Sequence, residues 1–362
     1  MRKSVTVSAV AMPRRPEAIR RGAATALWIT LGLALFILAL LLLKTGATGL
    51  AALLQRIRAG GPVNTLGLGW LLSYVSLSGS PAAATALSLL SGGVLSPLET
   101  FGMINGSRFG ASFIVLFTGF VFYLRGIRGR GVVAMGVLSM ITTATTYLPA
   151  MLLGVGVLQQ GWLNGVRFGS SRGLVSLIDR TFDPLVAAVG ARLPDLGIFA
   201  LGFGCLLVSF QVFDRALPPL GSDVLETRWG RWLDRPFPMF LLGLGMTALT
   251  LSVSVSLSIL VPLAGRGYVR RDQVVPYTMG ANISTFVDTL FASLLLASSV
   301  GFTIVLVEML CVATVSLVIL AGLYRRYRDV LMEANRLITS TRWRFSIFVA
   351  FLALIPLALL LL

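Results

Sequence analysis

Apolar stretches long enough to cross a lipid bilayer recur along this chain, and they restrict its fold more than any other feature. The hydrocarbon core of a bilayer is about 30 Å thick, so a helix needs about 20 apolar residues to cross it. Such runs occupy residues 25–43, 109–124, 131–158, 196–213, 276–296, 300–323 and 345–362. They predict an all-α polytopic membrane protein with about seven spanning helices, and they exclude a soluble enzyme, a fibrous protein and a disordered regulator.

The charged residues are few and unevenly placed. Only 12% of residues are charged, and 30 Lys and Arg outnumber 14 Asp and Glu. Basic residues cluster beside apolar runs, for example at residues 14–21 and 125–130, as they do on the cytoplasmic side of membrane proteins. We therefore expect a multi-pass protein of the cell membrane with a cytoplasmic N-terminus, whose partner is the lipid bilayer and not nucleic acid. Assembly into a homo-oligomer stays open.

The motifs of common catalytic and metal sites are absent from the sequence. It contains no His, no P-loop, no Gly-x-Ser-x-Gly and no carboxylate pair at catalytic spacing. Its two cysteines, Cys205 and Cys311, lie inside apolar runs and lack metal-binding spacing. We therefore expect neither enzymatic activity nor a metal or covalently bound cofactor.

Two more apolar stretches, residues 66–95 and 237–264, are interrupted in the middle by Ser, Gly or Pro. Such residues break a continuous helix, so each stretch predicts a hairpin of two half-length helices inside the bilayer. The second stretch has basic residues on both flanks, which predicts a re-entrant hairpin that opens to the cytoplasm.

The two interrupted stretches belong to an internal repeat. A shift of 174 residues aligns Leu77, Ser78 and Ser80 with Leu251, Ser252 and Ser254, and gives six identities over residues 77–106 without a gap. The predicted directions of the equivalent spans are opposite, as in the inverted repeats of many secondary transporters. The units are then a basic cytoplasmic N-terminus, a first repeat, an external linker with an amphipathic helix, a second repeat and a C-terminal membrane helix. Their bounds are 1–24, 25–158, 159–195, 196–342 and 343–362.

The motifs at these positions resemble the sodium-phosphate cotransporters of the type II class and their bacterial relatives. That family carries Gln-Ser-Ser-Ser at each hairpin tip and Gly-Ala-Asn-Ile-Gly-Thr-Thr at the start of the next helix. The second half of this chain has Leu251-Ser252-Val253-Ser254 and Gly280-Ala281-Asn282-Ile283-Ser284-Thr285. The first half has Leu77-Ser78-Gly79-Ser80 and Gly106-Ser107-Arg108. The resemblance implies a secondary transporter that moves inorganic phosphate or a related anion, with Na⁺ or H⁺ as the coupling ion.

The departures from the family pattern keep a second hypothesis open. Leucines 77 and 251 replace both family glutamines, and Arg108 replaces the asparagine of the first half. The chain could therefore be a non-transporting or repurposed relative. Such a relative would act as a membrane scaffold or as a carrier of a larger phosphorylated compound, such as a lipid phosphate.

The candidate substrate site combines hydroxyl groups at the broken helix ends with one cation. Helix N-termini and hydroxyl donors favour an anion, and guanidinium matches phosphate oxygens. The candidate residues are Ser78, Ser80, Arg108, Ser252, Ser254, Asn282 and Thr285. Arg108 lies on the predicted external side, so it either binds the anion or snorkels to the outer interface.

The candidate ion-coupling residues are Asp288 and Ser284. Acidic residues inside a membrane are costly and therefore rare, and Asp288 and Glu308 are the acids within the second-half spans. Asp288 could bind a cation, carry a proton or neutralise Arg108 in a salt bridge. With leucine at both hairpin tips, a sodium site would lack the amide oxygens of the family, so we expect weak sodium dependence or coupling to protons.

Overall fold

The computed structural model describes residues 15–56, 60–124, 131–162, 165, 168, 171–216, 235–251, 253, 256–257 and 270–362. Within these ranges the regular structure is helical and contains no strand. The helices are α1 (Arg15–Thr45), α2 (Ala47–Arg56), α3 (Pro62–Ser76), α4 (Gly79–Ser91), α5 (Pro97–Leu124), α6 (Gly131–Gln160), α7 (Arg172–Gly190), α8 (Asp195–Ala216), α9 (Pro236–Thr250), α10 (Val274–Ser284), α11 (Val287–Leu295), α12 (Ser299–Val318), α13 (Tyr324–Thr339) and α14 (Arg342–Leu361). A 3₁₀ turn, Arg271–Gln273, precedes α10, and a π-helical turn, Ile319–Leu323, joins α12 to α13.

Five helices in the described part of the chain are long and apolar enough to cross a membrane. They are Ala23–Thr45, Val133–Gln160, Asp195–Ala216, Ser299–Thr339 and Arg342–Leu361. This confirms the predicted all-α polytopic fold. The two other predicted spans differ from single apolar helices: residues 109–124 are the second half of the longer α5, and residues 276–296 are divided between α10 and α11.

The first interrupted stretch forms the predicted pair of half-length helices. At 1.5 Å per residue, α3 and α4 are each about 20 Å long, shorter than a bilayer core. They meet at Leu77, which adopts the left-handed conformation with φ 51°. Glu99, in the first turn of α5, accepts hydrogen bonds from the backbone N–H groups of Gly61 (2.9 Å) and Ser96 (2.8 Å). The start of α3 and the segment after α4 therefore lie together at one end of the hairpin.

The backbone repeats itself at the offset found in the sequence. Helix α9 begins and ends 174 residues after α3, and Leu251 follows it with the same φ of 51° as Leu77. In both halves, the first hairpin helix lies directly against the backbone of the helix that follows the hairpin. Glycines at the crossing allow this approach, because a Cβ at these positions would meet a carbonyl oxygen of the other helix. The equivalent pairs are Gly69–Met103 with Gly243–Tyr277, and Gly106–Leu66 with Gly280–Phe240. These contacts support the repeat, while its opposite orientation and the bounds of the units stay predictions.

The C-terminal helix packs on the first half of the chain. Pro356 has no N–H group, so the carbonyl of Leu352, four residues earlier, lacks its helical partner. The Tyr74 hydroxyl on α3 donates to this carbonyl at 2.8 Å. The Asn64 amide donates to the carbonyl of Leu360 at 3.1 Å. Helix α14 therefore covers α3 and holds one arm of the first hairpin.

A helix also lies in the predicted linker, as α7. One of its residues, Ile178, is buried, whereas Leu174, Leu177 and Leu185 are exposed, which suits a helix lying along a membrane surface. Several predicted features lie outside the described residues. They are the start of the N-terminus (1–14), the arginines of 125–130, the middle linker (217–234) and most of the second hairpin's return arm, with Ser252 and Ser254.

Candidate functional site

Three charged side chains are buried among the residues that the structure describes. Arg108 on α5 is 3% exposed, Asp288 on α11 is 6% exposed and Glu308 on α12 is 1% exposed. A buried charge needs partners, because it loses its hydration. The arrangement of these three groups therefore defines the candidate site.

Arg108 lies about three turns into α5, not at the start of a helix. The helix begins earlier than expected because Pro97 occupies its first turn, and because the Ser96 hydroxyl and the Glu99 carboxylate cap it reciprocally. Arg108 is consequently inside the protein. Of the two alternatives for Arg108, the one in which it snorkels to the outer interface does not fit this burial.

The guanidinium of Arg108 contacts residues of the second half of the chain. One terminal nitrogen donates to the Thr289 hydroxyl at 2.7 Å, and the other donates to the Thr285 hydroxyl at 3.4 Å. The guanidinium carbon also lies 4.6 Å from the centre of the Phe286 ring, which is the distance of a cation–π contact. Nε has no hydrogen-bond partner. The Nε–H group is therefore an unused donor.

The predicted single span at 276–296 is interrupted where it meets Arg108. Helix α10 ends at Ser284 and α11 begins at Val287. In the tight turn between them, the Phe286 N–H donates to the Ile283 carbonyl at 3.3 Å, a three-residue step. The turn presents the Thr285 hydroxyl and the Phe286 ring to Arg108.

Asp288 is linked to Arg108 through a hydroxyl group and not by direct contact. Thr289 donates to Oδ1 of Asp288 at 2.8 Å while it accepts from Arg108. The carboxylate and guanidinium form no ion pair within 4 Å, so the direct salt bridge considered from the sequence is not observed. Oδ2 has no hydrogen-bond partner. The side chain of Ser80, at the hairpin tip, lies near this carboxyl group but forms no hydrogen bond with it.

Asn282 is held by a second polar cluster beside Phe286. Its amide nitrogen donates to the Thr143 hydroxyl at 3.1 Å, and its backbone carbonyl accepts from the Tyr147 hydroxyl at 2.8 Å. The Tyr147 and Phe286 rings lie 6.1 Å apart, which connects this cluster to Arg108. Thr143 and Tyr147 are four residues apart on α6, so they lie on the same face of that helix.

Ser284, the second candidate for ion coupling, does not join this cluster. Its hydroxyl lies 3.5 Å from the Gly280 carbonyl and 3.4 Å from the Ala281 carbonyl of its own helix. It therefore bonds back to α10 instead of reaching Arg108 or Asp288. Thr289, Tyr147 and Phe286 were not among the predicted site residues, although each contacts a residue that was.

The two hairpin tips border one cavity of about 600 Å³. Leu77 and Ser78 line it from the first tip, and Thr250 and Leu251 line it from the second. The remaining lining comes from α1, α3, α4 and α8, and it is largely apolar apart from polar side chains such as Gln211 and Asp214. Ser78 is the N-cap residue of α4, but its hydroxyl bonds to no described residue. The tips of the two halves thus face a common space.

Two departures from the family motif have structural consequences. Leu77 and Leu251, which replace glutamines, are the left-handed residues of the two tips. Gly79, which replaces the central serine, lies where a Cβ would be 2.8 Å from the Ser107 carbonyl oxygen on α5. The close approach of α4 to α5 therefore requires glycine at this position.

Comparison with known proteins agrees with the second-half motif. The family model of the Na⁺/Pi-cotransporter matches residues 205–338, a stretch that contains Asn282, Asp288 and Glu308. The sodium-dependent phosphate transport protein 2B of Homo sapiens and that of Pongo abelii are each 32% identical to this chain over 115 residues. Each match covers 30% of this chain and 16% of the relative's length. No solved structure matches. Residues 205–338 are therefore similar to the Na⁺/Pi-cotransporter family, and the chain spans less than a fifth of the length of the two relatives it matches.

Proposed function

We propose that the protein is a secondary active transporter that moves inorganic phosphate or a related anion across the cell membrane together with Na⁺ or H⁺. The observation that carries the proposal is the position of Arg108. Its guanidinium belongs to the first half, is buried, and is held by hydroxyls of the second half, while its Nε–H group has no partner. The names of the two relatives, both sodium-dependent phosphate transport proteins, support the same substrate class.

The chemistry around Arg108 suits a tetrahedral oxyanion. A guanidinium donates in a rigid planar fork that fits two oxygens of one phosphate, and the bonds are charge-assisted. The free Nε and the neighbouring terminal nitrogen would supply this fork, and the Thr285 hydroxyl would donate to a further oxygen, while Thr289 keeps its bond to Asp288. Asn282 lies in the adjacent cluster, where its amide is bonded to Thr143.

The hairpin tips would form the route by which the anion reaches Arg108. Ser78 opens α4, whose N-terminus carries free N–H groups and a partial positive charge. Ser80, two residues further, lies near Asp288, and Asp288 is bonded through Thr289 to Arg108. A movement of the first tip would therefore change the surroundings of Asp288 and, through Thr289, those of the guanidinium. In a transporter built from repeats, such a movement would change the side from which the site is reached.

Uptake into proteoliposomes tests the proposal. The purified full chain is reconstituted, and accumulation of labelled phosphate is followed under an imposed Na⁺ gradient, an imposed pH gradient, or neither. We expect accumulation above protein-free liposomes under at least one gradient. Equal phosphate content in protein-containing and protein-free vesicles under every gradient would contradict the proposal.

The apolar cavity at the tips favours a second candidate, a carrier of a larger phosphorylated compound such as a lipid phosphate. A space of about 600 Å³ with largely apolar walls is larger than inorganic phosphate requires and suits an apolar substituent. The discriminating experiment adds a short-chain lipid phosphate to the same vesicles. Competition with labelled phosphate, together with movement of the lipid phosphate itself, would favour the larger substrate. A membrane scaffold would move neither compound.

A further inference from the structure

Glu308 is the buried charged residue that the proposed site leaves without a role. It lies in the middle of α12, and neither of its carboxyl oxygens has a hydrogen-bond partner. Arg108 and Asp288, the other buried charged residues of the described chain, each make at least one hydrogen bond. An ionised carboxylate without donors is costly in a membrane interior, whereas a protonated carboxyl group carries no charge.

The groups around Glu308 come from several helices. Arg108 on α5 and Tyr147 on α6 interact electrostatically with it, as does Cys311 on its own helix. Asp288 on α11 is engaged with Thr289, and Tyr277 on α10 is bonded to Ser256. Helix α4 contains no titratable residue. Arg108 is therefore the described cation that acts on Glu308, and it is shared with Asp288.

The charge balance of this trio leaves room for one monovalent cation. With Arg108 protonated and both acids ionised, the trio carries one net negative charge, and binding of one proton makes it neutral. A metal cation such as Na⁺ needs a shell of oxygen ligands, but no described hydroxyl lies within hydrogen-bonding distance of Glu308. A proton needs a single carboxylate oxygen.

We infer that Glu308 is a proton-binding site and that the proton it carries is the coupling ion. This inference rests on the proposed transport function and names its coupling ion and residue. The carboxylate forms an O–H bond with a proton taken from water on one side of the membrane. When the site opens to the other side, that bond breaks and the proton returns to water, so no other reactant is consumed.

Arg108 links the proton to the anion. An ionised Glu308 offsets part of the positive potential of Arg108. The attraction of Arg108 for an anion is then weaker. Protonation of Glu308 leaves more of that potential to the anion, and by linkage a bound anion favours the protonated Glu308. Anion affinity should therefore fall as the pH rises through the range in which Glu308 loses its proton.

Infrared spectroscopy tests the proton site without requiring transport. Full-length protein in lipid is titrated with acid and base, and the carbonyl stretch of a protonated carboxyl group is followed. Wild type should show a band that Glu308→Gln lacks and that Glu333→Gln retains, because Glu333 is an exposed acid on α13. A spectrum of Glu308→Gln identical to that of wild type would overturn the inference, even if phosphate transport were established.

Uptake measurements test the coupling. We expect uptake driven by a pH gradient to fall about tenfold or more in Glu308→Gln, a loss within the usual range of coupling between two sites. Glu308→Asp keeps a titratable group and should retain the pH response. That result would show that altered packing does not explain the loss in Glu308→Gln. Glu333→Gln should match wild type. Uptake by Glu308→Gln with an unchanged pH response would overturn the coupling role. If wild type moves no phosphate at all, the transport proposal fails, while the infrared band still decides whether Glu308 holds a proton.

Discussion

At the scale of single residues, Arg108 and Asp288 depend on one hydroxyl group. Thr289 accepts from the guanidinium and donates to the carboxylate, so one small side chain separates two buried charges. Neutralising either Arg108 or Asp288 would leave the other charge without its opposite charge across Thr289. Charges held in this way belong to one electrostatic unit, and substitutions in it should not be additive.

Neutralising Asp288 should abolish coupled uptake. Asp288→Asn keeps the shape of the side chain but removes one of the two buried acidic charges near Arg108. We expect gradient-driven accumulation to disappear while the protein level in the membrane stays near that of wild type. Asp329→Asn, at an exposed acid on α13, is the matched control. Gradient-driven uptake by Asp288→Asn at the rate of wild type would contradict this role.

The two tip leucines should determine sodium dependence. Leu77 and Leu251 line the same cavity, so amide side chains at both positions would bring two more oxygens toward one space. We expect weak sodium activation of uptake in wild type and stronger activation in the double variant Leu77→Gln, Leu251→Gln. The sodium concentration for half-maximal uptake is the measurement. Tight sodium activation in wild type that survives Asp288→Asn would show that hydroxyls and carbonyls at the tips suffice.

At the scale of helices, the glycine crossings hold each hairpin against the helix that follows it. On α9, a Cβ added to Gly243 would meet the Tyr277 carbonyl on α10. A Cβ added to Gly245, two residues later on α9, would enter open space. We expect Gly243→Ala to destabilise the protein by about 1–3 kcal/mol through overpacking. Gly245→Ala should be neutral or stabilising by up to about 1 kcal/mol because alanine favours helix. Thermal unfolding in detergent compares them, and equal midpoints would contradict the crossing.

The carboxylate of Glu99 should stabilise the first hairpin in a pH-dependent way. Partial burial raises the pKa of Glu99, but hydrogen bonds from Ser96 and Gly61 outweigh burial and lower it overall. A lowered folded-state pKa gives stability that is present near neutral pH and lost as the pH falls through that pKa. We expect Glu99→Gln to cost about 1 kcal/mol or less at pH 7, since the carboxyl is partly screened. The difference in unfolding midpoint should vanish in acid, and a constant difference across pH would contradict the assignment.

The sequence contained the signal for the start of α5, although the apolar run did not. Ser96 and Glu99 are spaced as a capping box and Pro97 follows the cap, a pattern that predicts a helix start there. Hydropathy alone begins the span at residue 109 because Glu99, Asn105 and Arg108 interrupt the apolar run. The helix break at Thr285 and Phe286 had no comparable signal, since it depends on contacts with residues far away in the chain.

At the scale of the whole molecule, the half-length helices and the repeat followed from local patterns, whereas the site followed from long-range packing. Breaking residues and the 174-residue offset predicted where the tips lie. Arg108 was singled out because a cation had no reason to lie on the external side. Its partners could not be predicted, because no local pattern fixes the register of α5 against α10 and α11. Thr289 and Phe286 became visible only once the two halves were packed together.

The proposed transport depends on anion binding at Arg108, between the two halves of the chain. Phosphate uptake by Arg108→Gln, compared with wild type and with Arg344→Gln at an exposed arginine on α14, tests it most directly. Loss of charge-assisted hydrogen bonds should weaken apparent phosphate affinity by about 1.5–3 kcal/mol, roughly tenfold to a hundredfold. We expect this loss in Arg108→Gln at an unchanged membrane level, and wild-type affinity in Arg344→Gln. Unchanged phosphate affinity in Arg108→Gln would show that the anion does not bind at this residue.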